Sequence, residues 1–157
     1  MDVTDAAAPD ARRYPAYPRI GVGAVVFDLL HRVLLVRRGK PPAAGQWGLP
    51  GGLLRLGEAL QDALHRELAE ECGIRVEIVD LISLYETVVR DSADRIAYHY
   101  VVADYLCRWR EGAITPGDDV QAVAWAGAEN IARYELTAAA TEMIAAARAK
   151  DARQARG

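Results

Sequence analysis

Three glutamates, Glu67, Glu70 and Glu71, stand at i, i+3 and i+4 in a stretch with helical periodicity. On a helix that spacing gathers the three carboxylates on one face. Like charges so placed repel, and near a helix C-terminus they also meet the negative end of the macrodipole. Each effect costs about 0.3–1 kcal/mol. A helix selected for stability alone would carry Lys or Arg there. One reading is a solvated acidic face on which Arg66 pairs with Glu70 four residues on. The other is a divalent-cation site, because hard carboxylate oxygens suit Mg²⁺ or Mn²⁺. Mg²⁺ in turn tends to keep waters and substrate phosphates in its shell.

The elements that must position these groups can be read from periodicity and breakers. Leu60, Leu64 and Leu68 recur every fourth residue, which predicts a helix over Glu58–Cys72, with Gly73 as its stop. Before it, strands are expected over residues 20–27 and 32–38, joined by a turn at Asp28–His31. A breaker-rich loop covers 39–45, and short extended chain surrounds Pro50-Gly51-Gly52. After it, residues 75–89 and 96–107 read as strands of a long hairpin, 108–119 as a loop and 120–126 as a last strand. The Ala-rich run 136–148 is expected to be a helix with Thr137 as N-cap. Tyr14 to Pro18 reads as an extended approach. The whole predicts an α/β sandwich, with helices on the faces of a curved mixed sheet. Residues 14–148 form its single domain, 1–13 a loose N-terminal tail and 149–157 a fraying C-terminal one.

Composition narrows the function classes. The chain has 157 residues, 52% hydrophobic and 26% charged, with a formal net charge of -3. That suits one globular domain and gives no basic surface for a nucleic-acid polymer. Cys72 and Cys107 lack zinc spacing, and reduced thiols in a cytoplasmic protein are expected. Met1–Arg13 lacks the basic start and apolar core of a signal peptide, and no apolar run is long enough for a bilayer. Arg37 and Arg38 end a strand before a loop. Either could meet phosphate, but alternation sends them to opposite faces, so at most one should reach a site. Gly117-Asp118-Asp119 is good turn chemistry and equally a source of a loop acid. Trp47, Tyr98, Tyr100 and Trp125 read first as core and second as stacking groups. His31, His65 and His99 have no ligand-like spacing.

Around the three glutamates runs a longer pattern: Gly52, five residues, Glu58, seven residues, then Arg66-Glu67-Leu68-Ala69-Glu70-Glu71-Cys72-Gly73-Ile74. It resembles the Nudix box at every defined position. Residues 21–27, 33–38 and 45–52 look like that family's N-terminal strands and pre-box loop. His99–Tyr105 and Asp118-Asp119 followed by Trp125 resemble its compact ADP-ribose pyrophosphatase-like branch. The resemblance spans roughly residues 19–146. It implies the Nudix α/β/α sandwich, with Glu67, Glu70, Glu71 and the Gly51 carbonyl as metal ligands. It makes Arg66 the residue that orients the glutamates, and Gly52, Glu58 and Gly73 supporting positions. Glu67 is the first candidate base, with Asp118 and Asp119 as loop alternatives. Many relatives carry an acid where this chain has Arg55, whose charge is expected to face solvent.

The implied activity is metal-dependent cleavage of a diphosphate linkage in a small nucleotide-type substrate. ADP-ribose, giving AMP and ribose 5-phosphate, is the first choice. A nucleoside triphosphate pyrophosphohydrolase, including one for oxidised nucleotides, is the alternative. A non-catalytic ligand sensor is a third reading, and the intact box speaks against it. A homodimer through the Tyr14–Arg19 segment is compatible with the sequence.

Overall fold

A computed structural model describes residues 12–41 and 43–157, so the expected N-terminal tail lies almost wholly outside the described residues. The elements are β1 (Arg19–Phe27), β2 (Val33–Arg38), β3 (Trp47–Gly48), β4 (Gly51–Leu53), α1 (Leu60–Cys72), β5 (Arg75–Arg90), β6 (Ile96–Glu111), β7 (Val120–Ala126) and α2 (Ala138–Gln154), with a short 3₁₀ turn at Ile131–Arg133.

The seven strands form one mixed sheet in the order β3-β2-β1-β6-β5, with β4 added beside β1 and β7 beside β2. Among the named strands only β1 and β6 pair in parallel, through an unbroken register from Arg19↔Tyr100 to Phe27↔Arg108. The long β5–β6 hairpin takes register shifts at four places, each a local bend that lets the sheet curve.

Period-two alternation on β1 builds both cores at once. Val22, Ala24 and Val26 face α1, joining Leu64, Leu68 and Cys72 in one apolar cluster. Val25 and Phe27 face α2, joining Leu106, Met143 and Ile144 in the other. The result is the expected helix–sheet–helix sandwich. Among the described residues no helix is long and apolar enough to cross a membrane.

Besides shifts of a residue or two at strand and helix ends, three boundaries differ from expectation for a visible reason. Helix α1 begins at Leu60, not Glu58. Glu58 instead closes a turn, its N–H donating to the Arg55 carbonyl (3.0 Å) and its carboxylate accepting from the Arg55 N–H (3.0 Å). Helix α2, capped by Thr137 as expected, runs on to Gln154 rather than ending at Arg148. The part expected to fray is tied to the sheet by Lys150–Asp80 (3.0 Å) and Arg108–Asp151 (3.0 Å). Strand β6 continues past Cys107 to Glu111 because β5 pairs with it throughout.

The Tyr14–Pro18 segment is not simply extended. Tyr14 has φ 52°, the guanidinium groups of Arg13 and Arg95 lie 5.0 and 4.7 Å from its ring centroid, and its hydroxyl donates to Asp91 (2.7 Å). That end of the segment therefore packs on the chain's own β5–β6 hairpin.

Candidate metal and diphosphate site

The end of α1 is finished by residues from two other parts of the chain. Gly73 takes φ 70°, and its N–H donates back to the Ala69 carbonyl (3.1 Å), the left-handed 5→1 cap that a glycine permits. The remaining carbonyls of Cys72 and Glu71 accept from Thr115 N–H (2.9 Å) and Gly117 N–H (2.8 Å). Gly117 is required there, since a Cβ would collide with the Glu70 carbonyl. The docked loop delivers Asp118 and Asp119 to the wall of a cavity of about 460 Å³ that Glu67, Glu70 and Glu71 also line. Asp119 is thus both turn and wall: it has φ 64°, its carbonyl accepts from Gly39 N–H and its carboxylate pairs with Lys40 (2.7 Å).

Arg66 holds the carboxylates in place. Its Nε and one terminal nitrogen bond both oxygens of Glu58 (2.7 and 2.9 Å). The same terminal nitrogen reaches the Leu53 carbonyl (3.1 Å), and the other reaches Glu67 (2.7 Å) and Glu70 (3.4 Å). The bond from Arg66 draws the Glu58 pKa down to about 2, and Glu58 and Glu67 together raise that of Arg66. Glu58 therefore braces the arginine at a distance from the cavity.

Glu71, like Glu67, is part-buried. Its Oε2 accepts from Gly51 N–H (3.0 Å). Burial lifts its pKa to about 7, the Gly51 bond opposes that rise and the charge of Glu67 adds to it. Glu67 is turned towards Arg66, and Glu70 is about half exposed. Among the described residues no ready-made cluster of His, Cys or acidic side chains is closed around one point. The donor chemistry nonetheless fits a hard divalent cation. Three carboxylates share a wall, and Glu71 carries a pKa raised by desolvation and like charge, which a cation would relieve. Gly51 and Gly52 let the chain pass close by, for a Cβ on Gly52 would run into the Glu67 carboxylate and one on Gly51 into Val22 and Gly23 backbone.

Alternation separates the two strand-end arginines as expected. Arg37 is exposed and donates to the Gly45 carbonyl (3.1 Å). Arg38 lines a second cavity of about 560 Å³ with Gly51, Gly52 and Glu71. Burial lowers its pKa, and the charge of Glu71 opposes that. Arg55 is mostly exposed, yet its guanidinium lies 3.7 Å from Glu70 on the cavity wall, so its charge bears on the site as well as on solvent.

Of the four aromatics, three pack. Trp47 meets Tyr134 edge-on at 4.9 Å, Trp125 packs on the α1-side core and Tyr98 is buried. Tyr100 lines the second cavity. So does Asp104, to which the sequence alone assigns no role. Its signal is a lone acid between apolar residues in a strand otherwise suited to a core.

The NUDIX domain family profile matches residues 17–147. The chain belongs to the Nudix family. It is 32% identical to a MutT Nudix hydrolase from Burkholderia pseudomallei, with a TM-score of 0.70 over 82% of this chain and 96% of that one. It is 27% identical over 114 residues to the ADP-ribose pyrophosphatase of Methanocaldococcus jannaschii, covering 71% of this chain but only 64% of that protein. It is 31% identical over 108 residues to the nucleoside triphosphatase NudI of Escherichia fergusonii, covering 64% of this chain and 74% of that protein.

Within this Nudix site, Arg66→Lys isolates the bracing role. Lysine keeps the charge but cannot bond Glu58, Leu53 and Glu67 at once. The variant should need about 10–100-fold more Mg²⁺ for half-maximal turnover. An unchanged metal-activation curve counts against the arginine as the positioning group.

Proposed function

We propose that the protein is a metal-dependent pyrophosphohydrolase that cleaves the diphosphate linkage of a nucleoside diphosphate derivative, with ADP-ribose giving AMP and ribose 5-phosphate. The observation that carries this reading is the adjacency of the two cavities. Glu67, Glu71 and Asp119 wall both the acidic cavity and the larger one that runs over the sheet. A diphosphate at the carboxylates would leave its attached group in the larger space.

Glu67, Glu70, Glu71 and the Gly51 carbonyl are the proposed metal holders. A bound Mg²⁺ or Mn²⁺ would supply charge neutralisation on the phosphates and acidify a water. Arg38 faces the same space and adds a positive charge beside phosphate. Water attacks one phosphorus while the bridging P–O bond breaks. Glu67 takes the water's proton, and the bridging oxygen leaves with the other phosphate. Arg66 keeps Glu67 oriented through this step. Asp118 and Asp119, on the same wall, are the alternative bases.

The nucleoside triphosphate reading draws on the likeness to NudI and shares this machinery. Products separate the two: sugar phosphate in one case, inorganic pyrophosphate in the other. Turnover should vanish with EDTA and return with Mg²⁺ or Mn²⁺, and ADP-ribose should give a higher kcat/KM than common triphosphates. Undiminished rates in EDTA would overturn the metal mechanism. Pyrophosphate release with a higher kcat/KM would move the assignment to the triphosphates. No turnover on any diphosphate substrate would leave a ligand-binding module.

A further inference from the structure

The face of β1 that meets α2 changes character along its length. Val25 and Phe27 are core, but the two preceding residues on that face, Gly21 and Gly23, have no side chains. Their absence opens the floor of the larger cavity. On the neighbouring strand the same change occurs at the matching positions: Leu106, opposite Val25, is fully buried, and Asp104, next on that face, lines the cavity. The parallel register sets Asp104 opposite Gly23. Its Oδ1 occupies the space a Gly23 side chain would need, since a Cβ there would collide with it.

Asp104 is 6% exposed, the buried charged residue in a core otherwise apolar among the described residues. No described residue donates a hydrogen bond to its carboxyl, and it caps no turn or helix. Burial pushes its pKa up to about 7 with no donor or cation opposing the rise. Burying an acid without a partner costs stability, and its oxygens are left facing the cavity rather than sealed in the core. An apolar residue would seal the sheet better, so the fold itself gives no reason for an acid here. The carboxyl packs over Gly23 and lines a cavity that Glu67 and Glu71 also line.

We propose that Asp104 is a specificity-determining residue that accepts hydrogen bonds from N–H or O–H donors on the group attached to the diphosphate. This rests on the diphosphate-cleavage reading for the ligand's orientation. Two parts of ADP-ribose carry such donors: the adenosine half, through its exocyclic amine and ribose hydroxyls, and the terminal ribose. Tyr100 and Tyr85 flank the same cavity and offer rings beside the anchored group.

The test is the binding of products, which needs no turnover. Titration calorimetry with Mg²⁺ present would compare wild type, Asp104→Asn and Asp104→Ala for AMP, ribose 5-phosphate and inorganic phosphate. The expected result is about tenfold or greater weakening of one organic ligand, with inorganic phosphate unaffected and the melting temperature of Asp104→Asn at or above wild type. Weakening confined to AMP assigns the carboxyl to the nucleoside half, and weakening confined to ribose 5-phosphate assigns it to the terminal sugar. Equal affinities in all three proteins overturn the proposal. So does a uniform loss that includes inorganic phosphate, or failure of the wild type to bind either organic ligand. A protein that binds these products through Asp104 yet hydrolyses no diphosphate would sink the hydrolase reading while leaving this one standing.

Discussion

Glu70→Gln and Glu67→Gln are expected to abolish most turnover while the fold survives. Each substitution keeps side-chain size and removes one charge from a crowded wall. Glu70 is about half exposed and Glu67 is bonded to Arg66, a bond that a glutamine oxygen still accepts. Metal-free melting temperatures should therefore stay near wild type, and Glu70→Gln should match or exceed it as like-charge repulsion with Glu67, three residues before, is relieved. The chemistry has no such tolerance. Losing about 3 kcal/mol of barrier lowering is a rate loss of roughly 100-fold, and a weakened metal removes both water activation and phosphate screening. Thermal melts in EDTA beside steady-state rates in saturating Mg²⁺ would decide it. Normal rates in both variants would return the acidic face to the solvated-surface reading.

Gly52→Ala should be the sharpest backbone test. The atoms that a Cβ would meet are the carboxylate end of Glu67, a flexible group that can swing aside. The fold should survive, but Glu67 would be pushed off its place between Arg66 and the cavity. A shift of about 1 Å at a reacting group can cost about 100-fold, so turnover should fall by that order with only a small change in melting temperature. Gly51→Ala has no such relief. Its Cβ meets the Val22 carbonyl and the Gly23 Cα, both backbone, and it should lose stability first. Wild-type rates in Gly52→Ala would mean that Glu67 works equally well from another position.

These contrasts explain how much was legible in the sequence. The glutamate trio and its helix could be read because their logic is local: i, i+3 and i+4 are fixed by helix geometry, whereas the bracing role of Arg66 came only with the family resemblance, since its bonds reach back to Glu58 and Leu53. The split of Arg37 from Arg38 was legible for the same reason, through strand alternation. Boundaries set by distant partners were not. The extra turns of α2 depend on Asp80 and Arg108, and the tail of β6 on its pairing with β5. Glu58 looks like a first helical turn, but its carboxylate accepts from Arg55 and Arg66 before the helix starts. Asp104 escapes a sequence reading because its meaning lies in the register of two strands far apart in the chain. Only when β6 lies beside β1 does the acid sit over Gly23.

The loop docked on α1 limits how this site can be re-engineered. Exchanging residues 112–119 for another segment would look like an easy way to alter the acids at 118 and 119. Thr115 and Gly117 supply the N–H groups that satisfy the carbonyls of Cys72 and Glu71, and Pro116 between them has no N–H to offer. A graft lacking donors at those two places strands two acceptors at the helix end, at about 1–3 kcal/mol each. A graft lacking the glycine collides with Glu70. Loop libraries should therefore hold 115 and 117 constant and vary only positions 118 and 119; otherwise lost activity will report a loosened helix rather than a changed preference.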